Sequence, residues 1–325
     1  MIETICECGK EKAWDEELCQ ECFEKQNDRK GFIGGSDIAG IMGLSRWRTP
    51  LSVWAEKTGK VKAKDLSDNE AVELGSELED FVAKKFERKT GMKVRRAPQR
   101  YFLKSNPVFR CQVDRLIQGT DELLEVKTCS AWKEKEWEGE EIPIEYILQT
   151  MWQLLITGRK VGHIAVLIGG QKFRYKKIEA DQEMFDKMVK AAAEFWSMVQ
   201  NNIPPLVMGM DNPFMVELYP EDNEKMQQVE ELNDRIALLM QTKGNIKAMY
   251  EEQDKLEAEI KAVIGDTLGV KTKEYVVTWR GQMSSRVDIE KLKEDSLYEK
   301  YLKQTQTRVL RVKSNKGNDN ANGQT

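Results

Sequence analysis

The chain has 325 residues, of which 40% are apolar and 33% are charged, and its formal net charge at pH 7 is -4. These values are typical of a globular protein with room for one large domain and appendages. They exclude a protein whose whole surface is basic and attracts nucleic acid non-specifically. No run of eighteen apolar residues occurs and Met1-Ile2-Glu3 does not open a signal peptide, so we expect an intracellular, cytoplasmic protein without a membrane partner.

Four of the six cysteines lie within the first 22 residues, as two close pairs separated by ten residues. This spacing can place four thiolates around one zinc ion, which would stabilise a segment too short for a core of its own. An iron-sulfur cluster and uncoordinated cysteines are the alternatives. We therefore predict a structural Zn²⁺ knuckle over residues 1–28. Its ligands would be Cys6, Cys8, Cys19 and Cys22.

A helix is predicted to begin soon after this knuckle, at Gly34-Gly35-Ser36-Asp37. Ser36 suits the N-cap position, and Asp37 favours the first turn. A hydroxyl and free backbone amides at a helix N-terminus can bind phosphate, whereas a plain capping serine would give the same pattern. Thr49-Pro50 predicts the start of the next helix, which ends near Thr58 and places Trp54 in the core.

A longer helix is predicted over residues 68–90. Ser67-Asp68-Asn69-Glu70 has the form of a capping box, and Gly91 is a C-terminal stop. Glu79 lies beside the apolar stripe of this helix, where a carboxylate needs a partner such as a metal ion; an exposed glutamate is the alternative. The predicted buried stripe consists of Leu74, Leu78, Phe81, Val82 and Phe86.

Positive charge is concentrated between residues 84 and 115. This stretch holds eleven Lys or Arg residues and two acidic residues, Glu87 and Asp114. Such a local excess suits the neutralisation of phosphate groups. A solvated helix end followed by an edge strand would explain it equally well.

The central prediction is a β-hairpin made by residues 108–117 and 122–128, which are rich in β-branched and apolar side chains. Gly119 between them suits a tight two-residue turn. In that register Asp114 lies directly opposite Glu125, with the two Cβ atoms roughly 5 Å apart. Two carboxylates at this spacing repel each other unless a cation lies between them.

A lysine completes this group. Side chains alternate along a strand, so Lys127 shares a face with Glu125, while Leu124 and Val126 turn towards the core. Two carboxylates and an ammonium group then converge at one point. Hard oxygen ligands select hard cations, so we predict Mg²⁺ or Mn²⁺ as the occupant.

A helix over residues 144–157 is predicted to lie beside the hairpin. Glu145, Gln149 and Gln153 recur at every fourth position, so they form a polar row on one face of this helix. We expect this row to line the cleft that holds the carboxylates.

The remaining elements of residues 29–205 complete an α/β core. Strands at 163–169 and 172–179 form a second hairpin, and residues 181–200 form an amphipathic helix. Trp132 and Trp137 precede them in a charged segment, where they either stack on bases or cover the core. The fold class is therefore α/β, a mixed sheet flanked by helices.

Beyond residue 205 the composition changes, and we predict three further segments. They are a linker with a long helix or coiled coil (206–264), a small α/β unit (265–312) and a disordered tail (313–325). The apolar positions of the coiled coil are Val229, Leu232, Ile236, Leu239, Ile246 and Tyr250. The small unit would contain strands at 274–280 and 308–312 and a helix at 288–303.

One motif resembles the PD-(D/E)XK site of restriction-endonuclease-like nucleases. In it Asp114 is followed after ten residues by Glu125, and Glu125 after one residue by Lys127. Four further stretches occur in the order and spacing of phage-type exonucleases. They are IGGSDIAGIMGLSRWRTPLSVWAEKTG (33–59), GSELEDFVAKKFERKTG (75–91), LLEVKT (123–128) and YILQTMWQLLITG (146–158). Over roughly residues 29–205 the chain thus resembles the YqaJ-like viral recombinase family, which is related to lambda exonuclease.

This resemblance implies a restriction-endonuclease-like fold and a metal-dependent exonuclease that degrades the 5′-ended strand of duplex DNA and leaves 3′ overhangs for recombination. It implies that Asp114, Glu125, Glu79 and the Val126 carbonyl bind Mg²⁺. Lys127 would orient and activate the attacking water.

By the same resemblance, Gln149 lies next to the metal ions, while Arg29 and Ser36 bind the 5′-terminal phosphate. The implied partners are duplex DNA ends, a RecT-like single-strand annealing protein of the phage and further copies of the chain, of which a trimeric ring is one form in a relative. A phage or prophage protein would act in the cytoplasm of its bacterial host.

Two other functions fit parts of the sequence. A restriction-type endonuclease would use the same carboxylates and lysine but cut closed circles as well as linear DNA. A non-catalytic, zinc-containing DNA-binding adaptor would use the knuckle and the coiled coil. The complete set of Asp114, Glu125 and Lys127 argues against the adaptor.

Overall fold

The computed structural model describes residues 29–62, 68–97, 100–285, 287–294, 297–303 and 310. The chain divides into two compact units, Met1–Tyr219 and Pro220–Thr325. The predicted knuckle lies outside the described residues, and so do most of the predicted strand 308–312 and the tail 313–325. The zinc ligands Cys6, Cys8, Cys19 and Cys22 are therefore not among the residues described below.

The first unit alternates helices and strands. In chain order its elements are α1 (Gly35–Ile41), α2 (Pro50–Lys57), α3 (Glu70–Thr90), β1 (Val94–Arg96), β2 (Tyr101–Leu103), β3 (Asn106–Cys111), β4 (Arg115–Ile117), β5 (Glu122–Cys129), α4 (Ile144–Thr157), β6 (Val161–Ile168), β7 (Lys172–Glu179), α5 (Gln182–Gln200) and α6 (Phe214–Leu218). A 3-10 segment, Ala131–Trp137, connects β5 to α4. The bounds of α4 are those predicted from the sequence.

Five strands form a mixed sheet in the order β1-β4-β5-β6-β7. Strands β5 and β6 are parallel and the other neighbours are antiparallel. A parallel pair needs a crossover connection, and the segment containing α4 provides it. Strands β2 and β3 form a separate two-stranded sheet. The predicted mixed sheet flanked by helices is confirmed.

Helices cover both faces of the sheet because its strands alternate their apolar side chains. Leu123 of β5 packs in a large core with residues of α4 and α5, such as Leu148 and Met188. Leu124 and its neighbour Val126 pack in a second core with Val82 and Phe86 of α3. The α4 side of β5 therefore carries Leu123, Glu125 and Lys127.

Helix α4 lies very close to β6. A Cβ atom added to Gly162 of β6 would lie 2.5 Å from the Cγ2 of Thr150, so this position requires a glycine or a movement of the helix. The close contact brings Gln149 and Gln153 of α4 within hydrogen-bonding distance of Glu125 on β5.

The predicted central hairpin needs one correction. Arg115 pairs with Leu124 and Leu116 with Leu123, which is the predicted register. However, residues 108–117 do not form one strand: β3 ends at Cys111 and pairs with β2, while β4 begins at Arg115. Asp114 lies in the connection between the two sheets, which frees its side chain from the regular alternation of a strand.

Helix α3 is also partly different from its prediction. It begins at Glu70, and Asn69 caps it by accepting a hydrogen bond from the Ala71 amide. Its C-terminal half buries Val82, Ala83 and Phe86 and ends at Gly91 with φ 77°, as expected for a left-handed C-cap. Leu74 and Phe81 are 46% and 47% exposed, so the predicted stripe is wrong at these two positions.

The second unit contains a long helix and short elements. These are α7 (Asn233–Ile264), β8 (Gly269–Lys271), β9 (Val276–Thr278), α8 (Ile289–Glu294) and α9 (Leu297–Tyr301). The long helix is confirmed, whereas its assembly into a coiled coil stays a prediction. Strand β9 is shorter than predicted, and its partner β8 was missed. None of the described helices, α7 included, is long and apolar enough to cross a membrane.

Candidate active site

Glu125 is the centre of the candidate site. It is 1% exposed, and its two carboxylate oxygens accept three side-chain hydrogen bonds. Oε1 accepts from Lys127 Nζ and Gln149 Nε2, each at 2.5 Å, and Oε2 accepts from Gln153 Nε2 at 2.6 Å. Because Gln149 and Gln153 are one turn apart on α4, both can reach the same carboxylate. Gln149 and Gln153 thus both face the cleft, whereas a position of Gln149 next to metal ions stays a prediction.

Lys127 is held as an ammonium ion. Burial by itself would lower its pKa, but the negative charges of Glu125 and Asp114 outweigh this and raise it above the ordinary value. Its Nζ also lies 5.5 Å from the centre of the Tyr146 ring, within the range of a cation–π contact. The lysine is therefore a source of positive charge and a hydrogen-bond donor at neutral pH.

Asp114 reaches the same point from the connection between β3 and β4. Its Oδ2 accepts a hydrogen bond from the Val126 amide at 2.8 Å. Burial and the charge of Glu125 raise the pKa of Asp114 to about 8, against the opposing effect of Lys127. One ammonium group therefore does not balance two ionised carboxylates. A divalent cation would supply the missing positive charge. The donor set fits a hard cation. We refer to Asp114, Glu125 and Lys127 as the carboxylate site.

Glu79, the third predicted carboxylate ligand, pairs with Arg115. That arginine is 4% exposed and contacts Glu79, Asp80 at 2.5 Å and the Asp114 carbonyl at 2.6 Å. The charge of Glu79 contributes to the raised pKa of Asp114. Among the described residues no group of three His, Cys, Asp or Glu side chains is arranged to hold a metal ion. Metal binding by Glu79 and by the Val126 carbonyl stays a prediction.

Arg29 and Ser36 are brought together as a pair. Arg29 Nη2 donates a hydrogen bond of 2.8 Å to Ser36 Oγ. The predicted N-cap role of Ser36 is wrong, because Gly34 is the N-cap and Ser36 lies in the first turn of α1. Its hydroxyl is therefore directed to Arg29 instead of to the helix amides. Binding of a 5′-phosphate by the two residues stays a prediction.

A cavity of about 370 Å³ lies beside this pair. Burial and the positive charges of Arg110 and Arg29 lower the pKa of Arg100. Three guanidinium groups that repel one another favour an anionic ligand. We refer to this space as the arginine cavity; its lining includes Arg29, Ser36, Arg100, Arg110, Gln149 and Gln153. The two glutamines also bind Glu125, so they connect the cavity to the carboxylate site.

A buried aspartate holds Arg29 in place. Asp37 is fully buried, and its Oδ1 accepts from Arg29 at 2.9 Å and from Arg48 at 2.8 Å. Its Oδ2 accepts from Lys57 at 2.7 Å and from the Gly34 amide at 3.0 Å. Burial tends to raise the pKa of Asp37, but Lys57, Arg29 and Arg48 together lower it to about 2. The sequence showed Asp37 only as a helix-start residue.

Some other site residues were missed or misplaced by sequence reasoning. Arg100 and Arg110 belong to the basic stretch 84–115, which indicated phosphate binding. Nothing in the sequence distinguished these two arginines from the other basic residues of that stretch. Glu145 does not continue the polar row into the cleft: its Oε1 accepts from Arg46 Nε at 3.1 Å. The ion pair turns this carboxylate away from the glutamine side of α4.

Comparison with known proteins identifies the family of this chain. The family model of the YqaJ-like viral recombinase domain matches residues 25–160. The chain is 38% identical to protein YqaJ of Bacillus subtilis (strain 168) over 300 residues, which cover 88% of this chain and 92% of that protein. The chain belongs to the YqaJ-like viral recombinase family. The matched domain contains all residues of the carboxylate site and the arginine cavity.

Two solved structures are also similar to the YqaJ-like chain. An alkaline exonuclease (LHK-Exo) from Laribacter hongkongensis has a TM-score of 0.47 and 20% identity, and the similarity covers 54% of this chain and 91% of that one. A phage-related exonuclease from Haemophilus somnus 129PT has a TM-score of 0.37 and 16% identity, covering 53% and 96% of the two chains.

Proposed function

We propose that this YqaJ-like protein is a metal-dependent exonuclease that acts on the ends of duplex DNA, degrading the 5′-ended strand and leaving 3′ overhangs for strand-annealing recombination. The observation that carries the proposal is the junction of two oppositely charged sites. The carboxylate site, which lacks positive charge, is joined to the arginine cavity by Gln149 and Gln153. One site suits a cation and the other suits a phosphate group.

In this proposal Asp114 and Glu125, with Glu79 and the Val126 carbonyl as further ligands, hold Mg²⁺ or Mn²⁺. The bound ion would supply Lewis-acid stabilisation of the oxygens of the scissile phosphate. Lys127 keeps its proton beside two carboxylates, so it orients the attacking water and offsets negative charge in the transition state rather than acting as the base.

Gln149 and Gln153 hold the Glu125 carboxylate in one orientation through both of its oxygens. Their support is the kind of contact that fixes a metal ligand before the metal binds. Arg29, Ser36, Arg100 and Arg110 would receive the terminal 5′-phosphate of the strand. A terminal phosphate held at a set distance from the carboxylate site would make cleavage depend on a DNA end.

The test uses one plasmid in linear and closed-circular form, incubated with the full-length protein and Mg²⁺, with EDTA as the metal-free control. We expect metal-dependent loss of the linear form only. Cutting of the circular form would replace this proposal by an endonuclease of restriction type. Stability of both forms in Mg²⁺ and in Mn²⁺ would favour the non-catalytic DNA-binding adaptor.

The role of the terminal phosphate needs a second substrate, a linear duplex with a 5′-phosphate or a 5′-hydroxyl at one end. The proposal requires faster degradation of the phosphorylated end, and equal rates would remove the phosphate-binding role of Arg29 and Ser36. Expected partners are a phage RecT-like annealing protein, which would coat the exposed 3′ strand, and further copies of this chain.

A further inference from the structure

An aromatic and basic surface lies beside the carboxylate site. Trp132 is 94% exposed and Trp47 is 52% exposed, although tryptophan usually buries most of its surface. Lys133, the neighbour of Trp132, places its Nζ 4.8 Å from the ring centre of Trp47. We refer to Trp47, Trp132, Lys133 and Tyr146 as the aromatic surface.

Ring contacts connect this surface to the carboxylate site. The Trp47 and Tyr146 rings are 6.5 Å apart, and Lys127 Nζ lies 5.5 Å from the ring centre of Tyr146. Trp132 follows Lys127 by five residues, on the segment that leaves β5. A ligand on Trp47 would therefore be separated from the carboxylate site by the Tyr146 ring, and the Trp132 segment begins at the end of the strand that carries Glu125 and Lys127.

The segment that presents Trp132 is anchored rather than loose. Trp137 at its end is 1% exposed and stacks on Tyr146, with ring centres 5.5 Å apart. At its start Ala131 packs so closely on the β6–β7 turn that a Cβ added to Gly169 would lie 2.9 Å from the Ala131 Cβ. Lys172 of β7 pairs with Glu134 at 2.6 Å. The two tryptophans of this segment thus differ: Trp137 covers the core, and Trp132 is held in solvent.

We propose that the aromatic surface binds unpaired nucleotides of the DNA strand, with bases stacked on Trp132 and Trp47 and the phosphate groups next to Lys133. An exposed aromatic ring beside a lysine is the usual platform for single-stranded nucleic acid. Bases inside a duplex have no free face, so the ligand is the strand that has separated next to the cleavage site. This inference rests on the proposed nuclease function for the identity of its ligand.

Arg46 and Lys133 both lie next to the Trp47 ring, and Lys133 is the one that we expect to bind a phosphate group. Arg46 also lies 5.2 Å from the Trp47 ring, but it donates to Glu136 at 2.7 and 3.1 Å and to Glu145 at 3.1 Å. Its charge is therefore already balanced by two carboxylates. Lys133 therefore provides the positive charge with which the aromatic surface would bind a phosphate group.

The experiment measures binding of a 3′-labelled oligothymidylate to the full-length protein by fluorescence anisotropy in EDTA, so that cleavage cannot occur. We expect Trp132→Ala and Trp47→Ala each to weaken binding about 5- to 160-fold, the range that corresponds to the loss of one stacked base. Trp132→Phe keeps a ring and should restore most of the affinity. Leu206→Ala is the matched control, because Leu206 is 90% exposed and belongs to the same unit, and it should bind normally.

A second oligonucleotide of the same length carries abasic sites in place of thymidine. Stacking requires a base, so Trp132→Ala should weaken binding to this ligand by less than about twofold. Equal losses on both oligonucleotides, or normal binding by Trp132→Ala and Trp47→Ala, would overturn the proposal.

The nuclease function is tested separately, by degradation of linear plasmid with Mg²⁺. If the unaltered protein degrades linear DNA while both alanine variants bind oligothymidylate normally, the stacking role fails and the nuclease stands. If it degrades nothing but binds oligothymidylate through Trp132 in the base-dependent way, the stacking role stands and the nuclease fails.

Discussion

The carboxylate site and the arginine cavity lie next to each other and have opposite charge imbalances. The carboxylate site has too little positive charge, and the arginine cavity has too little negative charge. The first places two carboxylates against one ammonium group, and burial together with the charge of Glu125 raises the pKa of Asp114 to about 8. The second gathers three guanidinium groups, and burial together with the charges of Arg110 and Arg29 lowers the pKa of Arg100. Each site is unfavourable on its own, and each is improved by a ligand of the charge that it lacks.

The two sites also differ in how their charges are supported. Glu125 is held by neutral amides from α4, which orient it without cancelling its charge. Arg29 is held by the buried Asp37, whose negative charge offsets the positive charge of the arginine. Arg48 and Lys57 bind the same carboxylate and add two positive charges. A metal ligand must keep its full negative charge, whereas a phosphate-binding arginine can share a counter-ion and still offer its free N–H groups. The following predictions test this division.

The largest effect is expected from Asp114→Asn, which removes one negative charge from the carboxylate site. We predict a loss of metal-dependent cleavage of at least about a thousandfold, because the site then lacks a metal ligand. The metal-free protein should unfold at the same or a higher temperature, since burial and Glu125 already favour the neutral form of Asp114. Rates on linear DNA and melting curves in EDTA measure both.

Asp121→Asn is the matched control for that substitution. Asp121 is 75% exposed and pairs with Arg159 on the surface, so its loss should change the cleavage rate by less than about twofold. Normal turnover by Asp114→Asn would overturn the assignment of the carboxylate site.

The next effect concerns the support of the arginine cavity. Asp37→Asn leaves Lys57 and Arg48 without their buried counter-ion and should lower the free energy of unfolding by roughly 3–5 kcal/mol at pH 7. Urea denaturation of the two proteins measures the difference. Glu183→Gln, which removes a solvent-exposed pair with Lys187, should leave the free energy of unfolding nearly unchanged.

The pH dependence of the Asp37 effect has a definite sign. The pKa of Asp37 is about 2 in the folded protein and 3.8 in its reference state, so its charge stabilises the fold above pH 3.8. That contribution is lost as the pH falls from 3.8 to about 2. The stability difference between the unaltered protein and Asp37→Asn should therefore be constant above about pH 5 and shrink below pH 4. A difference that stays constant down to pH 2 would contradict the ion-pair role.

A smaller and more selective effect is expected from Arg29→Ala. Loss of one charge-assisted contact should slow degradation of 5′-phosphorylated ends about 10- to 100-fold and leave 5′-hydroxyl ends nearly unchanged. The ratio of the two rates is the measurement, because a general loss of folding would lower both rates together. An unchanged ratio would show that the arginine cavity does not read the terminal phosphate.

The smallest effect is expected from Gln153→Ala. This change removes the hydrogen bonds to Glu125 Oε2 and to the Gln112 carbonyl, both of which orient the carboxylate site. We predict about tenfold weaker activation by Mg²⁺ with a normal maximal rate at saturating metal. Titration of the rate with Mg²⁺ distinguishes this from a direct role in catalysis, which would lower the maximal rate instead.

Part of this site could be read directly from the sequence. The register that brings β4 against β5, the shared face of Glu125 and Lys127 and the bounds of α4 follow from local periodicity and turn signals. Local patterns failed where a neighbouring element changed the outcome. Pairing of β3 with β2 broke the predicted long strand, and Leu74 and Phe81 of α3 are nearly half exposed instead of buried.

The sequence by itself predicted the longer helices and the strands β5, β6 and β7, and with them the grouping of Asp114, Glu125 and Lys127, because alternation and helical spacing act over a few residues. Only the tertiary structure decided that Gln153 holds Glu125, 28 residues away, that Asp37 joins Arg48 and Lys57, and that Arg100 and Arg110 converge on Arg29. It also separated the exposed Trp132 from the buried Trp137. These contacts depend on how helices pack across the sheet, and such packing brings together residues whose spacing in the chain carries no periodic signal.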